Sequence, residues 1–204
     1  FEIVRRRLFS DEIDYAARDA VLSAYRDLYK NNSGEFPSGV AEGNYYRRME
    51  ASYPIHPELF DRLYQDWSTL ESFQRTRGVL RLMANVISEL WIRNDHSLLI
   101  MPGTIPLDAS KVRGEVLRYL PDIWHAVVDT DIDGHNATPP IIDNEIPTLG
   151  EYSACRRIAR TVFMGSAPSV AEQGVRGQEE VRLKLGTVQP GEPVAVFGDA
   201  LRRM

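Results

Sequence analysis

The stretch from Thr76 to Arg93, TRGVLRLMANVISELWIR, decides the fold class, because it carries the strongest helical pattern in the 204 residues. Its apolar residues recur at the spacing of a helix, so they form one face. The predicted members of that face are Val79, Leu82, Met83, Val86 and Leu90, widened by Leu80, Ile87 and Trp91. The remaining stripe is polar and begins with Arg77 and Arg81. A two-sided helix of this kind indicates a globular helical domain.

Similar but weaker patterns surround this stretch and predict a mainly α fold. Before it, Ser10 to Glu12 begin a helix whose apolar face is Ile13, Ala17, Ala20, Ala24 and Leu28. His56 and Pro57 open another helix, since proline is favoured at the first helical position. Further helices are predicted at 2–9, 44–51, 108–119 (capped by Asp108), 122–128, 148–164, 178–185 and 192–204, with an extended segment at 97–101.

The positions rich in glycine and proline predict where the domains begin and end. A helical region covers residues 1–133, a linker covers 134–147, and a three-helix region covers 148–204. Three helices with a short turn in the last pair are the layout of a winged-helix-like subdomain, here truncated. The chain begins at Phe1 and its last helical pattern runs to Met204 without a capping signal, so we expect a piece of a longer protein.

Composition excludes several classes of protein. The 29 Asp and Glu residues outnumber the 24 Lys and Arg residues, which argues against binding to nucleic acid through bulk positive charge. No apolar run is long enough for a transmembrane helix. A lone Cys155 rules out a disulfide framework within the chain and is typical of a reducing compartment, so we expect a cytoplasmic protein.

The familiar motifs of catalytic and metal-binding sites are absent from the sequence or incomplete in it. A P-loop needs lysine after glycine, and Lys30, Lys111 and Lys184 all follow other residues. The segment Asp129–Gly134 resembles the start of a calcium loop, but Pro140 stands where the closing glutamate is required.

The histidines and the cysteine carry no catalytic signature either. His56, His96, His125 and His135 lack the spacing of a metal site, so no metal is expected, and His56 is interpreted as a helix cap or a buried hydrogen-bonded residue. Arg156 and Arg157 could lower the pKa of Cys155, although a packed thiol is the favoured interpretation.

Arginines cluster at the start of the strongest helix. Arg75, Arg77 and Arg81 lie there, and Thr76 can cap the helix. Free amides, the positive end of the helix and guanidinium groups would then meet at one place, which suits an anion such as a terminal phosphate. A solvated basic face, or ion pairs with neighbouring helices, is the alternative.

The segment Gly78–Arg81 resembles the sensor-2 element of AAA+ ATPases, in which a G-x-x-R turn of the helical lid presents arginine to the nucleotide phosphates. The longer stretches Tyr53–Leu59 and Phe73–Leu82 resemble a family of large, uncharacterised bacterial predicted AAA+ ATPases related to the P-loop proteins of BREX-type phage-defence systems. Segments Ile3–Phe9 and Arg160–Pro168 are similar to the same family, whose genes often neighbour DNA methyltransferases.

This resemblance implies an ATPase lid followed by a winged-helix-like subdomain, with the P-loop core missing from these residues. Arg81 would be the sensor-2 arginine, and Arg77 and Arg75 would be auxiliary phosphate contacts or contacts across a subunit boundary. The fragment would not be catalytic alone, although the parent protein would be an ATPase. ATP and Mg would be bound only through the missing core, and the partners would be the rest of the parent chain and proteins of a defence or DNA-modification system.

Two other functions stay open. The chain could be a stand-alone DNA-binding or scaffold module, whose carboxyl-terminal helices carry Arg156, Arg157, Arg160, Arg182, Arg202 and Arg203. It could also be a small-molecule enzyme that uses Asp129, Asp131 and Asp133, but these carboxylates have no distinguishing spacing.

Overall fold

The computed structural model describes residues 2–9, 13–70, 72–73, 75–168 and 177–204, with the backbone alone at Glu2 and Arg75. This part of the chain is mainly α-helical, as predicted. Its α-helices are α1 (Glu2–Leu8), α2 (Tyr15–Asn31), α3 (Gly43–Ser52), α4 (Pro57–Asp61), α5 (Arg75–Ile92), α6 (Ser110–Leu117), α7 (Ile123–Val127), α8 (Thr138–Glu145), α9 (Pro147–Gly150), α10 (Ala154–Ser166), α11 (Glu180–Leu185) and α12 (Val194–Arg203).

Short π and 3-10 turns extend α4 and α7, and one 3-10 turn stands apart from the α-helices. π-helical turns occupy Arg62–Asp66 and Val128–Ile132, and 3-10 turns occupy Trp67–Thr69 and Pro102–Thr104. The predicted extended segment at 97–101 forms one parallel β-bridge, between Ile55 and Ile100. No strand longer than this bridge occurs in the described ranges.

Helix α5 confirms the prediction for the central stretch. Val79, Leu82, Met83 and Val86 are buried, so the apolar face lies against the core. Trp91 is different, because 86% of its surface is exposed. The prediction that it widens the buried face is wrong: at about 100° per residue, the helix turns Trp91 toward the side that carries the arginines.

The buried face of α2 also differs from the predicted one. Leu22, Tyr25 and Tyr29 are buried, whereas Ala17 and Ala20 are exposed. The predicted alanine stripe is wrong because large aromatic side chains remove much more apolar surface from water than methyl groups do. The helix begins at Tyr15, where the carboxylate of Asp14 accepts a hydrogen bond from the Ala17 amide at 2.9 Å. The predicted start at 10–12 lies outside the described residues.

Helix α10 joins two groups of buried residues. Ala159, Phe163 and Met164 pack into the group formed by α1, α4, α5 and α6. Cys155 and Ile158 pack into the group formed by α2, α3, α11 and α12. The carboxyl-terminal helices therefore share a core with the first half of the chain.

The predicted linker at 134–147 contains α8, which packs against α10. The predicted helix at 148–164 is interrupted before α10, where Ser153 adopts a left-handed conformation (φ 49°). The division into two domains, the lid-like region and the winged-helix-like subdomain all stay predictions.

Helix α6 begins at Ser110, with Ala109 at the N-cap position. The prediction that Asp108 caps this helix is wrong, because its carboxylate is bound by arginine side chains instead. In the part of the chain that the structure describes, no helix is both long and apolar enough to cross a membrane.

Candidate functional site

Gly78 fixes the position of the first turns of α5. A Cβ atom there would lie 3.1 Å from two atoms of the Phe73 ring, so glycine lets this ring pack directly on the helix. Phe73 is buried, and it also contacts the Tyr119 ring edge-on at 5.0 Å between centroids. The G-x-x-R turn is thereby held beside the end of α6.

A cavity of about 240 Å³ opens at this place. We call it the arginine cavity, and its lining residues are Ser72, Arg77, Gly78, Arg81, Arg118 and Tyr119. Two of the predicted arginines lie there: Arg77 is exposed, and the Arg81 side chain is 50% exposed. The side chain of Arg75 lies outside the described residues. Because α5 begins at Arg75, Thr76 lies in the first turn, and the prediction that it caps the helix is wrong.

Glu115 of α6 lies behind the arginine cavity and is 8% exposed. Its Oε2 accepts hydrogen bonds from Arg81 Nη2 at 3.1 Å and from Arg118 Nη1 at 3.3 Å. Its Oε1 accepts a 2.6 Å hydrogen bond from the Tyr119 hydroxyl. Burial, followed by this hydrogen bond and the Glu115 charge, raises the pKa of Tyr119 to about 12. The hydroxyl is therefore protonated and acts as the hydrogen-bond donor to Glu115.

Sequence reasoning missed Arg118, Tyr119 and Glu115. Glu115 and Arg118 have the i, i+3 spacing of a helical ion pair, and this was the available signal. That spacing does not say which helix the pair faces. The packing of α5 against α6 decides it.

A second arginine cluster has the opposite character. We call it the buried ion-pair cluster, after its buried centre at Asp133 and Arg160. Its other members, Arg93, Asp108 and Arg156, lie at its edge, with side chains 28–36% exposed. The Asp133 side chain is fully buried and is bound by Arg156 and, at 2.7–2.8 Å, by Arg160. It also accepts the backbone N–H of Asp108 at 2.8 Å.

Asp108 completes this cluster. Its carboxylate accepts hydrogen bonds from Arg93 Nη1 at 2.8 and 2.9 Å and from Arg160 Nη2 at 3.0 Å. Burial alone would raise the pKa of Asp108, but Arg160, Arg93 and Arg156 together lower it. The segment Asp129–Gly134 resembles the start of a calcium loop, but the oxygens of Asp133 are bound by guanidinium groups and have a structural role.

The other carboxyl-terminal arginines that the structure describes are also paired with carboxylates. Arg157 binds Glu192 at 2.6 Å, and Arg182 binds Glu58 at 3.2 Å. Arg202 and Arg203 are exposed and lie beside Asp199 on α12. Much of the positive charge predicted to face a partner is therefore used within the chain.

A buried polar group surrounds His56. Its Nδ1 accepts a 3.2 Å hydrogen bond from the Glu58 amide, which confirms the predicted helix cap. Its Nε2 lies 2.8 Å from the Tyr29 hydroxyl. Burial lowers the pKa of His56 to about 3, so the ring is neutral; with Nδ1 accepting, Nε2 carries the proton and donates to Tyr29.

Glu58 is buried beside this histidine, and burial raises its pKa to about 7 despite its contacts with Arg62 and Arg182. Cys155 is also buried, and burial together with Asp143 raises the pKa of its thiol to about 12. The packed-thiol interpretation is confirmed, and the pKa of this thiol is raised rather than lowered.

Comparison with known proteins gives one family. Residues 1–176 match the family described as DUF499 second domain. No curated protein and no solved structure matches the chain.

Proposed function

This chain belongs to the family described as DUF499 second domain, and we propose that it is the regulatory, nucleotide-sensing lid and partner-binding region of a larger AAA+ ATPase. The observation that carries the proposal is the arginine cavity. Arg81 lies half-exposed at a cavity that it shares with Arg77 and Arg118, where a phosphate group can reach it. The description as a second domain agrees with a position inside a longer protein.

The chemistry of the cavity fits a phosphate. Arginine presents a planar fork of N–H donors that matches phosphate oxygens, and charge-assisted hydrogen bonds of this kind are about twice as strong as neutral ones. A buried arginine without access to solvent could not play this part. The exposure of Arg81 therefore supports the proposal.

The lid would act through differential binding. When ATP occupies the core of the parent protein, Arg81 gains a contact with the terminal phosphate, and hydrolysis removes it. Couplings between sites are typically about 1–3 kcal/mol, which is enough to bias a lid between two positions. The chain itself contributes a sensing arginine and no catalytic residue, so we expect no ATP turnover by it alone.

The test is Arg81→Ala in the intact protein that carries this domain. We expect ATP hydrolysis to fall at least about tenfold, equivalent to about 1.4 kcal/mol of lost stabilisation. Arg81→Lys should restore only part of the activity, because lysine keeps the charge and loses the fork. Arg113→Ala is the matched control, since Arg113 lies on α6, outside the cavity, and pairs with Asp129. Normal turnover by Arg81→Ala would refute the proposal.

The setting of the parent protein, in phage defence or DNA modification, follows from the sequence resemblance alone and belongs to the same proposal. The alternative of a DNA-binding or scaffold module stays a prediction. Among the described residues, the pairing of Arg156, Arg157, Arg160 and Arg182 with carboxylates gives it no support.

A further inference from the structure

A buried carboxylate lies directly behind the lining of the arginine cavity. Glu115 accepts one hydrogen bond from Arg81 of α5 and one from Arg118 at the end of α6. Its other oxygen accepts from Tyr119. The two guanidinium groups, which would otherwise repel each other, are thereby held at the same oxygen atom.

This arrangement leaves donors for a ligand. A guanidinium group has five N–H bonds, and Glu115 accepts one from each arginine. About half of each arginine side chain is exposed, and both line the cavity together with Arg77. The expected ligand is thus an oxyanion with more than one negative charge and several acceptor oxygens. A phosphate has this chemistry, whereas a carboxylate has one charge and two oxygens.

We propose that Glu115 is an internal counter-anion of the phosphate site: it is the shared partner of Arg81 and Arg118 until a terminal phosphate enters and competes for both guanidinium groups. The inference deepens the proposed function, and it rests on that function for the identity of the anion as the end of a nucleotide. It adds Arg118 as a further phosphate-contacting residue and Glu115 as the residue that sets the affinity.

The competition has a structural consequence. Arg81 belongs to α5 and Arg118 follows α6, so a phosphate that replaces Glu115 changes the contact between two packed helices. A ligand shifts a conformation only as far as it binds the two states differently. Glu115 supplies such a difference. In the phosphate-free site it occupies both arginines and so competes with the ligand, and in the phosphate-bound site it is released from them.

The experiment measures binding of pyrophosphate to this chain by titration calorimetry at low salt. Glu115→Gln keeps the shape and an acceptor oxygen but removes the competing charge, so we expect about five- to tenfold tighter binding. Arg118→Ala removes a donor group at the surface, and we expect at least about tenfold weaker binding. Arg113→Ala should bind like the wild type. Acetate at the same concentration should not compete.

Unchanged or weaker binding by Glu115→Gln would overturn the inference, because a carboxylate that merely orients the arginines would lose affinity when neutralised. Wild-type affinity in Arg118→Ala would overturn it as well. This second variant is a surface substitution, so it tests the inference even where Glu115→Gln does not fold.

The inference and the proposed function fail in different ways. If the pyrophosphate results are as expected while Arg81→Ala leaves ATP hydrolysis normal, the site binds phosphate and the lid function is refuted. If Arg81→Ala abolishes hydrolysis while Glu115→Gln binds pyrophosphate no more tightly than the wild type, the counter-anion is refuted and the lid function stands.

Discussion

The arginine cavity and the buried ion-pair cluster use the same residue type for opposite purposes. In the buried ion-pair cluster, Arg160 is about 10% exposed and contacts both Asp108 and Asp133. In the arginine cavity, Arg81 is 50% exposed and contacts Glu115 with one nitrogen. An arginine thus becomes structural or available for a ligand according to its exposure and the number of carboxylates it contacts.

The two clusters also differ in the free energy that is lost when one partner of an ion pair is removed. Removing one partner of a buried ion pair leaves an uncompensated charge in a region of low dielectric, which is costly. Removing one partner of an exposed pair costs little, because water and salt screen the remaining charge. Substitutions in the two clusters should therefore separate clearly in stability.

The largest effect is expected for Asp133→Ala. This change takes from Arg156 and Arg160 the fully buried one of the two carboxylates that they share, and it leaves the Asp108 amide without its acceptor. We expect the free energy of unfolding to fall by about 3–5 kcal/mol, measured by urea denaturation. Asp131 is exposed and lies in the π-helical turn that ends just before Asp133, so Asp131→Ala should change it by less than about 0.5 kcal/mol. Equal losses in the two variants would contradict the comparison.

Much of the arginine cavity could be predicted from sequence, because Arg77 and Arg81 lie on the polar stripe of a strongly periodic helix. The exposed side of such a helix follows from local spacing. Arg118 could not be predicted, since its place in the cavity depends on the packing of α6 against α5.

The buried ion-pair cluster was hidden from sequence for the same reason. Asp133 is 23 and 27 positions from Arg156 and Arg160, and a D-x-D-x-D-G spacing carries no information about such distant partners. The prediction for α2 is wrong for a different reason. Helical spacing favours a regular alanine stripe, whereas Tyr25 and Tyr29 are buried because their rings remove more surface from water. Local periodicity predicts which segments are helical, whereas side-chain area and tertiary pairing decide which faces are buried.

A smaller loss of stability is expected when the pH is lowered. Burial opposes the ionisation of Asp108, but its arginine partners hold the pKa below the usual value. The unfolded chain then binds this proton more readily than the folded chain does. The contribution of Asp108 to stability is therefore complete above the ordinary aspartate pKa and is lost as the pH falls through the lower pKa of the folded state.

The measurement compares the wild type with Asp108→Asn in urea unfolding between pH 5 and pH 2. The stability difference between them should shrink as the pH falls, because protonation removes the same charge that the substitution removes. A difference that stays constant over this range would mean that Arg93 and Arg160 do not hold Asp108 as an ion.

Apart from the Asp131→Ala control, the smallest effect on stability is expected for Arg81→Ala. Its pair with Glu115 is half-exposed on the arginine side, so the free energy of unfolding should fall by less than about 1 kcal/mol. Arg160→Ala, the matched change in the buried ion-pair cluster, should cost about 3 kcal/mol or more, because it leaves Asp133 and Asp108 short of a partner.

Salt sharpens the contrast between these two variants. At about 1 M NaCl the Debye length is about 3 Å, so the small loss in Arg81→Ala should nearly vanish. The loss in Arg160→Ala should persist, because ions do not enter the buried ion-pair cluster to screen it. A large, salt-resistant loss in Arg81→Ala would mean that Arg81 supports the fold as Arg160 does. An arginine in that role would not be available to a phosphate, so this outcome would also count against the proposed function.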